Sequence, residues 1–377
     1  MKFRVERDVL ADAVTWVARG LPSRPPVPVL AGVLLDVAAE GTVTLSAFDY
    51  EVSARMTIPA DVSEPGQVLV LGRLLADISR NLPDRPVEVE TSGNKVQVTC
   101  GSSRFALLLM PVDEYPTLPA SPEPSGSVPG DVFTQAVAQV AVAADRGDTL
   151  PILTGVRVEI EGEQMTLLAT DRYRLAMRTL TWSPGATDAS HVALIPARTL
   201  SETAKALGAA GAIDLSLGTA AGGEGLVGFE AGSRRTTTRL LDGDYPKVSS
   251  IFPSSSDTEA VVSTEELIEA VKRVALVAER NTPVRLKFAD GQVAIEAGSG
   301  DEAQASEAVE CVLTGPEIEI AFNPAFLLDG LHAVGTAHTR FSFTQPSRPA
   351  VLSGQAEVDG EADTAYRYVL MPVRFAS

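Results

Sequence analysis

Three stretches of this chain are written in nearly the same letters, and that limits the fold more than any single motif does. VPVLAGVLLDV from Val27 returns as LPILTGVRVEI from Leu150, and VRVEIEGEQMTLLA from Val156 aligns without gaps with VRLKFADGQVAIEA from Val284. LMPV closes the first copy at Leu109 to Val112 and the last at Leu370 to Val373, while Tyr-Pro ends the first two copies at Tyr115-Pro116 and Tyr245-Pro246. The repeat is about 120 to 130 residues, well beyond the roughly 20–50 residues of a solenoid unit. Each copy is long enough to fold around its own core, and three like domains in one chain imply rotational pseudo-symmetry.

Inside each copy the patterning reads strand, helix, strands, helix, strands. In the first, Lys2 to Glu6 alternate as a strand, and Asp8 to Ala18 put Val9, Leu10, Ala13, Val14 and Val17 on one helical face. Strand pattern resumes at Leu34 to Val37 and Val43 to Ala47, and a second helix from Arg73 to Leu82 is stopped by Pro83. Strands follow at Val87 to Glu90, Lys95 to Cys100 and Arg104 to Leu109. The same spacing predicts helices near Asp131 to Ala144 and Pro196 to Leu207 in the second copy. In the third they fall near Ser263 to Ala278 and Pro324 to Val334, with Ser263 and Glu266 as a capping-box pair. Pro, Ser and Gly concentrate between copies, in PTLPASPEPSGSVPG from Pro116 and PKVSSIFPSSSD from Pro246. The expected domains are 1–120, 128–250 and 257–377, each α+β with two helices on one face of antiparallel sheet.

Composition narrows the chemistry. With 45% hydrophobic and 21% charged residues the chain is globular. Its start, MKFRVERDVLADAV, lacks a signal peptide's apolar core, and no stretch approaches the roughly 18 apolar residues of a membrane helix, so a cytoplasmic protein without membrane contact is expected. Cys100 and Cys311 are too few for a disulfide framework and lack metal-ligand spacing, so buried inert thiols, and neither metal nor cofactor, are expected. The net charge of −18 repels phosphates at long range. With a Debye length of about 8 Å, however, a basic surface and an acidic one on opposite sides of a layer act separately.

Catalytic motifs are weak. Gly223, Gly225 and Gly228 spell G-x-G-x-x-G, but the following FEAGSRRTTTRL reads as strand, whereas a dinucleotide loop must lead into a helix; a hairpin is expected. His191, His332 and His338 have no nucleophile at recognisable spacing. Asp49 in SAFDYEV and Asp171 in LATDRYRL hold matching positions, better explained as turn-holding carboxylates than as a duplicated catalytic acid. The basic residues carry more. Arg73 and Arg80 stand about two turns apart on the second helix of the first copy, and Arg198 and Lys205 repeat that spacing in the second, so each pair shares a helix face. The third copy offers His332 instead. With Arg24, Lys272 and Arg273 elsewhere, the recurrence points to a basic surface that tracks phosphates without reading bases.

The opening MKFRVERDVL, the segments LPILTGVRVEI, ATDRYRLAMR, RTTTRLLDGDYP and IAFNPAFLLDGL, and the terminal YVLMPVR together resemble the bacterial DNA polymerase III beta subunit, the replication sliding clamp, over essentially the whole chain. The resemblance implies a head-to-tail homodimeric ring of six domains, with helices lining the hole and strands forming the outer layer. Such a ring encircles double-stranded DNA without sequence preference and tethers the polymerase III catalytic subunit, the clamp loader and other clamp-motif peptides. It implies DNA-facing roles for Arg24, Arg73, Arg80, Arg198 and Lys205. It places Arg104 and Phe105 on the first-domain side of the ring closure and Ala275, Leu276, Asp301, Glu302 and Glu307 on the third-domain side. It assigns a partner-peptide groove to Leu153, Thr170, Arg174, Leu175, Pro246, Ser250, Ile251, Asn323, Phe326, Val369, Met371, Pro372 and Arg374, whose apolar members read equally as core.

Two departures from the family pattern bear on that groove. Ser249 and Ser250 stand where many relatives carry a basic residue, so one wall is expected to be lower and less positive, and acidic peptides to gain less affinity. Tyr173 is bulkier than its counterpart in some relatives. Two further readings stay open. One is a second-copy clamp that protects its host against a cyclic-peptide inhibitor of the groove; the other is an enzyme built on the same repeats, disfavoured because no catalytic group is assembled.

Overall fold

The apolar spacing that predicts helices is met by six of them in the computed structural model, which describes all residues except 23, 148, 187–188, 220–224, 249–250, 254, 279–281, 299–302 and 374–377. They are α1 (Arg7–Ala18), α2 (Gly72–Asn81), α3 (Gly130–Ala141), α4 (Ala197–Leu207), α5 (Thr264–Val274) and α6 (Pro324–Val334). In α1, Leu10, Ala13, Val14 and Val17 are buried along one stripe, and Trp16 donates Nε1–H to the Arg55 carbonyl at 3.2 Å. α2 stops at Asn81, and Leu82 takes the extended backbone (φ −67°, ψ 149°) that a following proline enforces. α5 starts at Ser263, whose Oγ accepts the Glu266 N–H at 3.4 Å. α6 starts at Asn323, whose Oδ1 accepts from Ala325 and Phe326 at 2.9 and 3.3 Å, and ends on Gly335 in the left-handed region (φ 69°). Two ends run shorter than the sequence predicts: α3 stops at Ala141, and α5 at Val274, after which Ala275–Val277 tighten into a 3₁₀ turn.

The chain divides into two compact units, each with its own antiparallel sheet among the described residues. The first, Met1–Asp131 with Ser183–Ala186 and Lys205–Leu240, holds a 14-stranded sheet; the second, Val132–Trp182 with Thr187–Ala204 and Leu241–Ser377, holds a 12-stranded one. In the first unit two repeats are joined by the strands Val52–Pro59 and Arg234–Arg239, from Arg234↔Met56 to Thr238↔Val52. That joint is sealed by side chains, with Ser53 Oγ and Thr237 Oγ1 2.6 Å apart and Thr236 Oγ1 donating to the Ser53 carbonyl at 2.7 Å. In the second unit Arg174–Thr181 pairs with Ala362–Leu370, from Arg174↔Leu370 to Arg178↔Tyr366. Both joints set the strand that follows an aspartate turn against the closing strand of the next repeat.

Of the strands that match the joint strands, two are paired on one side only over most of their length among the described residues. Ser103–Met110 pairs with Lys95–Cys100 along its length, but on its other side only Leu109 and Met110 meet Gly66–Leu71. Ala305–Thr314 pairs with Gly291–Ala297, and on its other side only residues 311–314 meet Thr258–Ser263. Residues 103–108 and 305–310 therefore each present an open backbone edge.

In the second unit the hydroxyls of the buried Tyr366 and Tyr368 donate to the carbonyls of Gln139 and Phe326 at 3.3 and 2.8 Å, so both rings point toward helices. The alternating Arg367 and Val369 point to the opposite sheet face. Gly225 and Gly228 lie inside the strand Gly225–Ala231, which leads into the strand Arg234–Arg239, so the G-x-G-x-x-G opens no helix; Gly223 lies outside the described residues. Cys100 and Cys311 are both buried, and burial pushes the Cys311 thiol up to about 11.

Candidate functional site

The turn that opens the strand Arg174–Thr181 is built by its own side chains. Thr170 Oγ1 donates to the Arg174 carbonyl at 2.6 Å, and Asp171 Oδ1 accepts the N–H groups of Tyr173 and Arg174 at 3.0 Å each. Between them Arg172 sits in the left-handed region (φ 79°), which costs an L-residue about 1–2 kcal/mol and is held there by these bonds. Asp49 does the same in the first repeat, accepting from Glu51 and Val52 at 3.0 and 2.6 Å with Tyr50 at φ 76°. The matching aspartates are turn-holders.

Asp171 also anchors Arg174. Its Oδ2 accepts from Nε at 2.8 Å, while Arg174 Nη1 reaches Asp329 Oδ2 at 2.6 Å and the Tyr368 hydroxyl at 3.4 Å. The guanidinium lies 4.3 Å from the Phe326 ring centroid, and that ring stacks on Tyr173 at 6.2 Å. Burial opposes the charge of Arg174, but Tyr368, Asp329 and Asp171 more than offset it and its pKa rises. Arg174, expected at the peptide surface, is instead buried at 4% exposure and committed to the turn and α6. Asn323, expected beside it, uses its Oδ1 to cap α6.

The apolar residues assigned to the groove divide in two. Leu175 and Val369 belong to a buried cluster with Leu168, Val248 and Val351, and Leu153 packs with Leu194 and Tyr245. Val369 is 0% exposed and Leu153 and Leu175 are 2%, so these three support the surface from beneath. What remains accessible is a cleft of about 580 Å³ bordered by Ile251, Pro253, Met371 and a polar rim of Thr344, Gln345, Ser347 and Arg348. Met371 is half-buried and fixed by its N–H to the Tyr173 carbonyl at 2.9 Å; Pro372 is half-buried and Pro246 exposed. The rim escaped the sequence reading, although TQPSRP after a strand is a turn signal. Ser250 and Arg374 lie outside the described residues.

All five cations assigned to DNA are exposed. Arg73 Nη2 donates to the Pro22 carbonyl at 3.3 Å. Arg80 pairs with Asp77 at 2.6 Å and Arg198 with Glu202 at 3.0 Å, each within its own helix, whereas Arg24, Arg73 and Lys205 pair with no carboxylate among the described residues. Of the two further basic residues, Lys272 pairs with Glu269 at 3.0 Å and Arg273 with Glu307, its Nε donating at 3.0 Å. Arg273 and Glu307, expected on different surfaces, are thus one ion pair.

Phe105 and Leu108 stand out from one open strand edge at 40% and 65% exposure, with Arg104 exposed beside them, and Leu276, just after α5, is 84% exposed next to the partly buried Ala275. Glu307 lies on the other open edge; Asp301 and Glu302 lie outside the described residues. The described residues hold no group of three or more His, Cys, Asp or Glu able to bind a metal ion, and no helix long and apolar enough to cross a membrane.

Against known families, the chain matches the DNA polymerase III beta subunit in three parts: the N-terminal domain over residues 1–119, the central domain over 127–247 and the C-terminal domain over 249–374. It is 59% identical to the beta sliding clamp of Streptomyces coelicolor and 49% identical to the beta sliding clamp homolog GriR of Streptomyces muensis, over 100% of the chains in each case. Among solved structures, the Bacillus subtilis DNA polymerase sliding clamp matches with a TM-score of 0.91 at 29% identity, covering 100% of this chain and 99% of that one. The Pseudomonas aeruginosa sliding clamp bound to griselimycin matches with a TM-score of 0.91 at 28% identity, covering 100% of both. The chain therefore belongs to the DNA polymerase III beta subunit family, the bacterial sliding clamps.

Proposed function

We propose that this chain is a non-catalytic cytoplasmic sliding clamp: two copies, each with domains 1–120, 128–250 and 257–377, close head to tail around duplex DNA and tether the replicative polymerase. The observation that carries the reading is the half-made joint. Twice within the chain, the strand after an aspartate turn pairs with the closing strand of the next repeat. The third strand of that kind, residues 305–310, and the first repeat's closing strand, residues 103–108, have open edges. A second copy supplies both missing partners, and doing so twice closes the assembly.

The hairpins Cys100↔Ser103 and Ala231↔Arg234 make Ser103 the counterpart of Arg234, and Glu307 is the counterpart of Met56, so the Arg234↔Met56 register sets Glu307 opposite Ser103 of the partner subunit, beside the partner's Arg104. The second joint has the same register, with Arg178 and Tyr366 in the places of Met56 and Arg234. Exposed Phe105, Leu108 and Leu276 supply apolar area for the same contact.

Arg24, Arg73, Arg80, Arg198 and Lys205 are free to meet phosphates, since exposed pairs such as Arg80–Asp77 are worth only about 0–1 kcal/mol. Contacts of that kind are sequence-blind and exchange quickly, so retention comes from topology and processivity from the raised local concentration of a tethered polymerase. The cleft at Ile251 and Met371 takes the Leu and Phe anchors of short extended peptides from the polymerase, the clamp loader and other partners, and a cyclic-peptide inhibitor would compete for it. Higher identity to the Streptomyces coelicolor clamp than to GriR favours the replicative role over a protective second copy. Light scattering at micromolar concentration should give twice the 39.6 kDa chain mass, and a strictly monomeric species would overturn the proposal.

A further inference from the structure

A second cleft, of about 360 Å³, lies in the same unit, bordered like the first by Pro253. Its floor is apolar, formed by Leu168, Met177, Val248 and Phe252, and its walls bring Arg157, Lys247 and Arg367 together against a single carboxylate, Glu159. Three cations to one acid is unusual on a chain of net charge −18. Glu159 is already taken by Arg157 at 2.6 Å. Lys247 is exposed and pairs with no carboxylate among the described residues.

Arg367 is the more telling cation. Its guanidinium lies 4.3 Å from the Phe252 ring centroid, its Nη2 reaches only Met177 Sδ at 3.8 Å, and its Nε is buried without a hydrogen-bond partner. Burial without a compensating acid lowers its pKa. Packing over Phe252 explains the stacked guanidinium but not the idle Nε–H, since buried donors are ordinarily satisfied. Because Tyr366 and Tyr368 point toward α3 and α6, Arg367 belongs to the opposite face of the sheet from those helices.

We propose that this cleft is an acid-recognising extension of the peptide groove: it takes an Asp or Glu flanking a partner's apolar anchors, with the carboxylate between Lys247 and Arg367 and the stem against Phe252. The inference rests on the groove reading above, and it supplies, from within the chain, the positive charge that Ser249 and Ser250 lack in sequence.

The test measures fluorescence anisotropy of four labelled peptides with the full-length protein. One carries Leu and Phe anchors flanked by Gln; the others carry Glu on the N-terminal side, the C-terminal side or both. With wild type at low salt, Glu on at least one side should tighten binding about fivefold, the scale of one charge contact. That gain should disappear at 1 M salt, where the Debye length is about 3 Å. It should also disappear in Lys247→Glu, which leaves the Gln-flanked peptide bound as before, and in Arg367→Gln, provided its melting curve shows a folded protein. If the Gln-flanked peptide fails to bind wild type, the groove reading falls and takes this inference with it. If it binds but Glu brings no gain, or the gain survives Lys247→Glu, the inference alone is overturned.

Discussion

Replacing Arg174 by Ala removes the one cation that Asp171 and Asp329 share. Asp171 keeps its two backbone N–H bonds through Oδ1, but Oδ2 loses its partner on a side chain only 10% exposed. Asp329, 37% exposed, recovers water. Breaking a buried pair costs about 3–5 kcal/mol, with the upper end for partners left fully dry. With one carboxylate stranded and the Phe326 stack lost, about 3 kcal/mol is expected. For a cooperative unit of roughly 150–250 residues each kcal/mol moves Tm by about 2–4 °C, so the melting transition of the second unit should fall by roughly 6–12 °C. Asp171→Asn keeps an oxygen for the turn and removes the stranded charge, so the double variant should cost at least about 1 kcal/mol less than the sum of the singles. Calorimetry on wild type, both singles and the double checks this. An Arg174→Ala protein melting within about 2 °C of wild type, or strict additivity, would refute the account of a buried shared cation.

Three further expectations follow from the surfaces. Phe105→Ala should weaken the dimer about 10- to 100-fold in sedimentation equilibrium, as loss of a buried interface aromatic does. Reversing Arg73, Arg80, Arg198 and Lys205 to Glu should lower duplex affinity and flatten its salt dependence without creating base preference; an unchanged slope in a salt titration would count against the helical assignment. Met371→Ala should weaken an anchor peptide about tenfold by calorimetry, whereas Leu175→Ala should act mainly on stability, by about 2–5 kcal/mol, because that side chain is core.

The repeats and helices were legible in sequence because both are local: apolar residues at helical spacing, Pro83 after a helix and Ser263 at a start carry their own physics. The aspartate turns were legible because Asp49 and Asp171 recur at one repeat position. What decides exposure is not local. Val369 and Met371 alternate alike on one strand end, yet Val248, more than 100 residues away, packs with Val369 in the buried cluster and leaves Met371 at the cleft. Arg174 reads as a surface cation until Asp329 arrives from α6. Arg273 and Glu307 were assigned to different surfaces because their ion pair joins a helix to a strand that the sequence separates. The open edges were invisible for the same reason: which strand pairs with residues 103–108 is a matter of topology, not of their own alternation.

The most direct test of the clamp is retention on DNA of different topology. Labelled protein is placed on a nicked circular plasmid by a clamp loader, separated by gel filtration, and the plasmid is then cut once. The topological account predicts co-elution with the circle, with a half-life insensitive to salt at levels that abolish equilibrium binding to short duplexes, and rapid loss once the plasmid is linear. Equal retention on circular and linear plasmid, or loss from both as salt rises, would mean that the protein holds DNA by contact alone and does not encircle it.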